Sequence, residues 1–162
     1  MKGMENLQAD KGTHGSVETQ VVVFRLGKEE YAIDILQVQE IIRVLNVTRI
    51  PRVAKYIEGV INLRGNIVPL LNLHTKFNLQ ISGLEEEKRI IVCQFDEIKA
   101  GIIVDEVLEV IRLSDSDIEA VDNVYTSVNA EKIKGIAKVS GRLLILPDMK
   151  KIILGEAFGP GE

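Results

Sequence analysis

An internal repeat is the feature of this sequence that most restricts the folds open to the chain. Residues 21–44 can be placed over residues 90–113 without a gap, at a spacing of 69 positions. Identical residues pair along this block: Val38 with Val107, Glu40 with Glu109, Ile42 with Ile111, and Arg43 with Arg112. Self-similarity of this kind indicates two copies of one supersecondary unit. The fold must therefore accommodate the same order of elements twice.

A second block extends the repeat. Residues 57–73 lie over residues 133–149 at a spacing of 76 positions, and the seven additional residues fall between the two blocks of the second copy. Both glycines of residues 57–73 recur in the second copy, Gly59 as Gly135 and Gly65 as Gly141. Any two β-rich stretches resemble one another to some degree, but that resemblance does not require both glycine pairs to coincide. We therefore interpret the match as an internal duplication.

Each copy carries short strand signals rather than long helical ones. Tyr31, Ile33 and Ile35 alternate with smaller or polar residues, which is the period-two pattern of a half-buried strand. A glycine marks a tight hairpin turn at 65–66 and again at 141–142. Brief helical signals fall at 53–57, 72–77 and 114–121. The pattern predicts a mainly β protein with two small barrels, each of about five strands with a helical turn or two.

The two barrels should not be independent of each other. A barrel of roughly 60 residues buries too little surface to be stable alone, so the two should pack on a shared hydrophobic interface. We expect one ordered domain over 19–155, with the first copy at about 19–80, the second at about 88–154, and strands that can exchange between barrels. The polar and glycine-rich segments 1–18 and 156–162 are predicted to be flexible tails.

Composition excludes several classes of function. The chain has 162 residues, a formal net charge of −4, 4% aromatic residues and no run of lysine and arginine. A surface for nucleic acid or anionic membranes is therefore not expected. The polar, acidic N-terminal residues do not resemble a signal peptide, and no window approaches the roughly 18 apolar residues of a membrane-spanning helix. The sequence predicts a cytoplasmic protein that does not insert into membranes.

Signatures of catalysis and of metal binding are missing from the sequence. It contains no nucleophile elbow, no phosphate-binding loop and no His-Glu-x-x-His motif. His14, His74 and Cys93 are too few and too scattered for a zinc or iron site, so no metal or cofactor is expected. Cys93 lies in an apolar run and is predicted to be an inert core thiol, while His74 is predicted to be a surface or packing histidine.

Carboxylates could in principle pair for acid–base chemistry. The candidates are Asp34, Glu40, Asp105, Glu106 and Glu109. A solvated sheet face explains the same residues, because strands with one exposed face need polar side chains. The enzyme hypothesis rests on Glu40 with Glu109, but these are equivalent positions of two copies and need not lie near each other. We expect no enzymatic activity.

Arg64 is the most informative difference between the two copies, because its counterpart is Ser140. Positions that are alike in both copies are explained by the shared fold, whereas positions that differ can serve the surface of one copy. An arginine offers a planar fork of donors to a carboxylate or a carbonyl group, and Gly65 beside it lets another backbone approach. The alternative is an arginine that covers a barrel end with its stem. Glu40 either serves the fold or faces Arg64 across a groove.

Two blocks of the sequence, residues 24–41 and 56–73, resemble the CheW family of bacterial chemotaxis coupling proteins. The most specific match is Gly59-Val-Ile-Asn-Leu-Arg-Gly65 with its downstream Val68-Pro69, and the resemblance covers about 19–155. Position 72 departs from it, since Leu70-Leu71-Asn72 replaces the more usual valine or isoleucine followed by aspartate. CheW-like domains also occur at the end of the kinase CheA and with a receiver domain in CheV. Neither a kinase nor a receiver segment is found here.

The resemblance implies two SH3-like five-stranded β-barrels without catalysis, cofactor or metal. It implies a scaffold that couples the cytoplasmic tips of chemoreceptors, the methyl-accepting chemotaxis proteins, to the CheW-like regulatory domain of the histidine kinase CheA. The protein would be a monomer alone and part of a ring or array with its partners, at the inner face of the membrane. The alternative is an interaction domain of another chemosensory-type pathway.

The resemblance also implies a partner-binding region. It falls on Val38, Glu40, Gly59, Arg64 and Gly65, all of which match the family pattern. We assign Glu40 and Arg64 to the receptor, and the sequence does not divide the other positions between receptor and kinase.

Overall fold

The computed structural model of the protein describes residues 17–51, 56–120 and 132–154. The strands in these ranges are β1 (Glu18–Leu26), β2 (Glu29–Asp34), β3 (Val38–Arg43), β4 (Ile57–Leu63), β5 (Asn66–Leu71), β6 (Arg89–Phe95), β7 (Ile98–Val104), β8 (Glu106–Ser114), β9 (Ile118–Glu119), β10 (Ile133–Val139) and β11 (Arg142–Pro147). The helices are α1 (Leu73–Phe77) and α2 (Met149–Ile152), and 3-10 turns lie at Ile35–Gln37, Glu85–Glu87 and Asp115–Asp117.

The elements of the two copies correspond position by position. Strands β4 and β5 fall on β10 and β11 with the same bounds when shifted by 76 positions. Strands β1, β2 and β3 fall on β6, β7 and β8 at the spacing of 69 positions, and α1 corresponds to α2. The duplicated sequence is therefore a duplicated order of strands.

The brief helical signals had different outcomes. The signal at 72–77 is confirmed as α1, which begins where the Asn72 side chain accepts a hydrogen bond from the Thr75 N–H at 3.1 Å. The signal at 114–121 is wrong as a helix, because Ser114 caps only a 3-10 turn without buried residues and the chain then extends into β9. Of the signal at 53–57, Tyr56 lies in a turn and Ile57 belongs to β4, while residues 53–55 lie outside the described residues.

Each sheet combines strands from both copies. Barrel 1 is the sheet with strand order β8-β1-β2-β11-β10-β9, and barrel 2 is the sheet with order β3-β6-β7-β5-β4. The first two strands of each copy thus join the later strands of the other copy. The copies meet through the antiparallel pairs β1–β8 and β3–β6 and through the parallel pairs β2–β11 and β5–β7, and the remaining pairs are antiparallel. Barrel 1 adds a two-residue strand, β9, to the five strands that were predicted.

In each barrel a strand that contains a glycine pairs with the segment that closes the sheet. This strand is β4 in barrel 2 and β10 in barrel 1. In barrel 2 the backbone of Thr48 exchanges two hydrogen bonds with Val60, at 2.9 and 2.8 Å. In barrel 1, β9 pairs with β10 in the corresponding place. A Cβ atom at Gly59 would lie 2.2 Å from the Thr48 carbonyl oxygen, and one at Gly135 would lie 2.9 Å from the Glu119 carbonyl oxygen. Only glycine permits this approach of two backbones.

The buried side chains form one core inside each barrel and a larger one between the barrels. The core of barrel 1 contains Val21, Val23, Ala32, Leu113, Ala137 and Leu144. The core of barrel 2 contains Ile61, Leu63, Val68, Leu70, Ile90 and Val92. The shared core draws on both sheets, and in it the ring of Tyr31 stacks between Phe24 and Phe77 at centroid distances of 5.8 and 6.3 Å. The predicted fold class, a mainly β protein of two small barrels on a shared interface, is confirmed.

Two further properties concern the described residues only. None of their helices is long and apolar enough to cross a membrane. No group of three or more histidine, cysteine, aspartate or glutamate side chains among them is arranged to hold a metal ion.

Candidate protein-interaction site

A groove opens at one end of barrel 2, and we call it the Arg64 groove. It has a volume of about 340 Å³ and is lined by Gln39, Glu40, Leu63, Arg64, Asn66, Val68 and Lys99. Leu63 and Val68 belong to the core of barrel 2, so the floor of the groove is apolar. The polar residues form its rim. Because the polar side chains outnumber the two buried apolar ones, the groove suits recognition of another molecule through hydrogen bonds and charge.

The hairpin between β4 and β5 sets the position of Arg64. Arg64 and Gly65 have φ values of +51° and +88°, the backbone of a tight two-residue turn that matches the twist of its strands. The Gly65 N–H donates to Asn62 Oδ1 at 2.8 Å and holds the turn. Ser140, the counterpart of Arg64, has nearly the same φ, +50°. The turn therefore does not require an arginine, and the guanidinium group is free to serve another purpose.

Arg64 and Glu40 form an ion pair across the rim of the groove. The Arg64 side chain is 68% exposed and that of Glu40 is 24% exposed. A pair this exposed contributes about 0–1 kcal/mol to stability, so the fold gains little from it. The guanidinium group keeps donors that can reach a partner, because one carboxylate oxygen does not satisfy all five N–H groups. Lys99 adds a second cation to the same rim.

The structure places the five residues predicted to bind partners in two groups. Glu40, Arg64 and Gly65 lie together at the groove, where Gly65 is exposed and a Cβ atom on it would meet nothing within 4 Å. Val38 lies at the start of β3, half-buried against the shared core. Gly59 is buried where barrel 2 closes. The first group is accessible to another molecule, whereas Gly59 acts on the fold.

Barrel 1 also has a groove beside the equivalent hairpin, the Arg142 groove, which the sequence analysis missed. Its volume is about 230 Å³, and it is lined by Lys28, Glu29, Glu30, Ile136, Arg142, Leu143 and Ile145. Arg142 donates to Glu30 Oε1 from Nη2 at 2.7 Å and from Nε at 3.0 Å, and it also donates to Glu109. These bonds, first to Glu109 and then to Glu30, raise the pKa of Arg142. Comparison of the two copies could have pointed to this groove, since Arg142 aligns with Asn66 and Glu30 aligns with Lys99.

The side chains that could have carried chemistry have other roles. Glu40 and Glu109 lie in different sheets, and each pairs with its own arginine, which removes the basis for an acid–base pair. Cys93 is buried in the shared core, and burial raises the pKa of its thiol to about 12. The thiol is therefore protonated at neutral pH, as the prediction of an inert core cysteine requires.

Fold and site together define a class of protein: a duplicated two-barrel β domain with a groove beside the same hairpin of each barrel. The chain belongs to the CheW-like domain family, whose sequence model matches residues 20–156. The chain is 37% identical to the chemotaxis protein CheW of Treponema pallidum over 137 residues, which cover 82% of this chain and 81% of the relative. It is 38% identical to the CheW of Klebsiella aerogenes over 141 residues, with coverage of 87% and 85%.

A solved structure agrees with these relatives. The crystal structure of the scaffolding protein TtCheW from Thermoanaerobacter tengcongensis matches with a TM-score of 0.80 and 34% sequence identity. The match covers 90% of this chain and 92% of that protein. The resemblance inferred from residues 24–41 and 56–73 is thereby confirmed.

Proposed function

We propose that this chain is a chemotaxis coupling adaptor that joins the cytoplasmic tips of chemoreceptors to the histidine kinase CheA. Support comes from membership of the CheW-like family over nearly the whole described chain, and from relatives that are chemotaxis and scaffolding proteins of similar length. The observation that carries the proposal is the pair of grooves, one on each barrel, with different charges. An adaptor needs two surfaces that different partners can distinguish.

The Arg64 groove is the proposed receptor-binding surface, with Glu40 and Arg64 as its polar contacts. Arg64 supplies a planar donor fork that fits a carboxylate or main-chain carbonyl groups of the partner. Leu63 and Val68 offer apolar contact beneath it. We propose that Val38 and Gly65 extend this contact region and that Gly59 supports it through the closure of barrel 2.

The Arg142 groove is the proposed kinase-binding surface. Its rim carries three carboxylates, Glu29, Glu30 and Glu109, around Arg142 and Lys28, and exposed Leu143 offers apolar contact. This excess of negative charge contrasts with the two cations and one carboxylate of the Arg64 groove. Complementary charge steers association and disfavours the wrong partner more than it adds affinity. Unequal surfaces on one molecule also allow head-to-tail assembly into rings with a related partner domain.

The adaptor role requires binding and no reaction by this chain. We propose that it acts on the cytoplasmic side of the membrane, where the receptors hold it, and that many moderate contacts make an array stable through multivalency.

Reconstitution of receptor-containing membranes with purified CheA tests the proposal. Addition of this protein should place kinase activity under control of the receptor ligand, and Arg64→Ala should weaken that control. Arg112→Ala is the matched control, because Arg112 is also exposed and pairs only loosely with Glu18 at 3.8 Å. Kinase output that is the same with and without the protein would rule out the adaptor role. Control by a kinase of another chemosensory pathway instead would place the adaptor in that pathway.

A further inference from the structure

The connection between the two copies is fastened by hydrogen bonds to the turn between β1 and β2. Residues 78–84, which we call the strap, lead from α1 towards the second copy. The Ser82 hydroxyl donates to the Gly27 carbonyl oxygen at 2.7 Å, and the Ser82 N–H donates to Asp105 Oδ2 at 3.3 Å. A Cβ atom at Gly27 would lie 2.9 Å from the Gln80 carbonyl oxygen. The strap thus lies directly on the turn between β1 and β2.

Asp105 is the centre of this contact. It is 0% exposed, and its Oδ2 accepts the Gly27 N–H at 2.7 Å as well as the Ser82 N–H. His74 Nε2, on a side chain that is also buried, lies 2.9 Å from the same oxygen. A buried carboxylate is costly unless it is paired and hydrogen-bonded, so these three partners hold Asp105 in one place. We call Asp105, His74, Gly27 and Ser82, with Arg25, the Asp105 latch.

Arg25 closes the latch from the side of barrel 1. Its Nη1 donates to the Gly27 carbonyl oxygen at 3.0 Å and to the Ser82 hydroxyl, and its Nη2 lies 3.3 Å from Glu106 Oε1. The Arg25 carbonyl oxygen accepts the Asp105 N–H at 3.0 Å. One side chain therefore connects the β1–β2 turn, the strap and the start of β8.

The latch joins the two barrels outside their shared core. Gly27 lies between two strands of barrel 1, and His74 lies on α1, which follows a strand of barrel 2. Asp105 lies where the chain passes from β7 of barrel 2 to β8 of barrel 1. A change in the angle between the barrels would have to break these hydrogen bonds. Only Asp105 Oδ2 is held in this way, from Gly27, Ser82 and His74, whereas Asp105 Oδ1 is buried without a hydrogen-bond partner. Several bonds to one buried oxygen restrict movement of the segments that supply them.

The described residues at the corresponding place in the other half of the duplicated fold do not form such a latch. The counterparts of Arg25, Gly27, His74 and Asp105 are Gln94, Asp96, Lys150 and Leu36, in that order. Leu36 is 88% exposed, whereas Asp105 is fully buried. The same order of strands forms in both copies, so a barrel does not need the latch. Its polar residues serve the junction alone.

We propose that the Asp105 latch is an orientation lock, which fixes the strap and sets the angle between the two barrels. The lock keeps the distance and the angle between the two grooves constant, whichever partners bind there. The inference rests on the contacts of the latch and not on the proposed function.

Distance measurements between spin labels on the two barrels test the lock. Labels at Lys138→Cys in barrel 1 and Ile67→Cys in barrel 2 occupy positions that are each 64% exposed. Cys93 is 0% exposed and should not react with the label. Asp105→Leu introduces the residue of the other copy, and Ser82→Ala removes only the hydroxyl of the strap. Both changes should broaden the distance distribution, while Asp105→Asn, which keeps one oxygen, should leave it nearly as narrow as in the unsubstituted protein.

Hydrogen exchange separates a lock from a general loss of stability. In Ser82→Ala and Asp105→Leu the amides of 24–28 and 78–84 should exchange about tenfold faster or more, with the β4–β5 hairpin unchanged. Ser116→Ala, at an exposed serine of the 115–117 turn, is the control. Unchanged distances in the folded variants, or equal acceleration of exchange in all segments, would overturn the lock. If Asp105→Leu does not fold, the distance and exchange measurements on Ser82→Ala alone decide whether the lock exists.

Discussion

The Arg64 groove and the Arg142 groove lie beside equivalent hairpins of the two copies, but they share only two equivalent lining positions, Asn66 with Arg142 and Lys99 with Glu30, and their charges are distributed differently. Glu40 and Glu109 are equivalent and both bind an arginine. The arginine comes from the turn in barrel 2 and from the strand after the turn in barrel 1, where Asn66 is replaced by Arg142. Lys99 on the rim of one groove becomes Glu30 in the other.

This comparison separates what the fold requires from what a surface can vary. Both hairpins keep the same turn geometry, and in both barrels a glutamate at the equivalent position, Glu40 or Glu109, binds an arginine. The cations and the remaining carboxylates change without any change in strand order. Charges at a barrel end are therefore nearly neutral for folding, which leaves them available to distinguish one partner from another.

The largest expected effect concerns the glycines at which the two barrels close. Gly59→Ala and Gly135→Ala should each lower the free energy of unfolding by about 3 kcal/mol or more, because a Cβ atom would overlap the carbonyl oxygen of the closing segment. Gly65→Ala, whose Cβ atom would meet nothing but whose φ is +88°, should cost about 1 kcal/mol. Urea unfolding measures all three. Equal small losses at all three positions would mean that closure does not depend on these glycines.

Replacement of the two groove arginines should lower the free energy of unfolding by different amounts. Arg142→Ala leaves Glu30 and Glu109 facing each other without their shared cation, and it should cost about 1 kcal/mol. Arg64→Ala removes one exposed pair and should cost less than about 0.5 kcal/mol. Thermal unfolding at low ionic strength compares them, and added salt should reduce the difference. A larger loss for Arg64→Ala would support the alternative that Arg64 covers a barrel end.

The smallest effect at neutral pH concerns Cys93, which stands where the other copy has Phe24. Burial raises the pKa of its thiol to about 12, so the folded protein keeps the proton to high pH while the unfolded chain loses it near the ordinary cysteine value of about 8.5. Stability contributed by the neutral thiol is complete below that value and falls as pH rises above it. Thiol labelling of the folded protein should stay negligible up to pH 9 and become complete in urea. Rapid labelling without urea would show that the shared core opens.

Much of the fold could be predicted from the sequence because its signals are local or repeated. The glycines of the turns, the alternation around Tyr31 and the helical signal at 72–77 act on neighbouring residues, and they led to the hairpins and to α1. The exchange of strands between copies was predicted only as a possibility, because the residue pattern of a strand does not show which distant strand it pairs with. The helix at 114–121 was wrong since serine and aspartate caps also stabilise a single 3-10 turn.

The candidate site was predicted in part. Comparison of the two copies identified Arg64 as a difference, and the structure shows its pair with Glu40. The same comparison contained Arg142 and Glu30, but their importance depends on a contact between residues 112 positions apart. The Asp105 latch also could not be predicted, because an aspartate, a histidine and a serine from three segments are unremarkable until the fold brings them together.

Binding titrations with both partners test the comparison of the two grooves most directly. Arg64→Glu and Arg142→Glu would each be titrated against a chemoreceptor tip fragment and against the regulatory domain of CheA. The account predicts a crossed result, in which Arg64→Glu weakens receptor binding about tenfold or more and Arg142→Glu weakens kinase binding, each with little effect on the other partner. Equal weakening of both partners by both variants, or no weakening by either, would contradict the account.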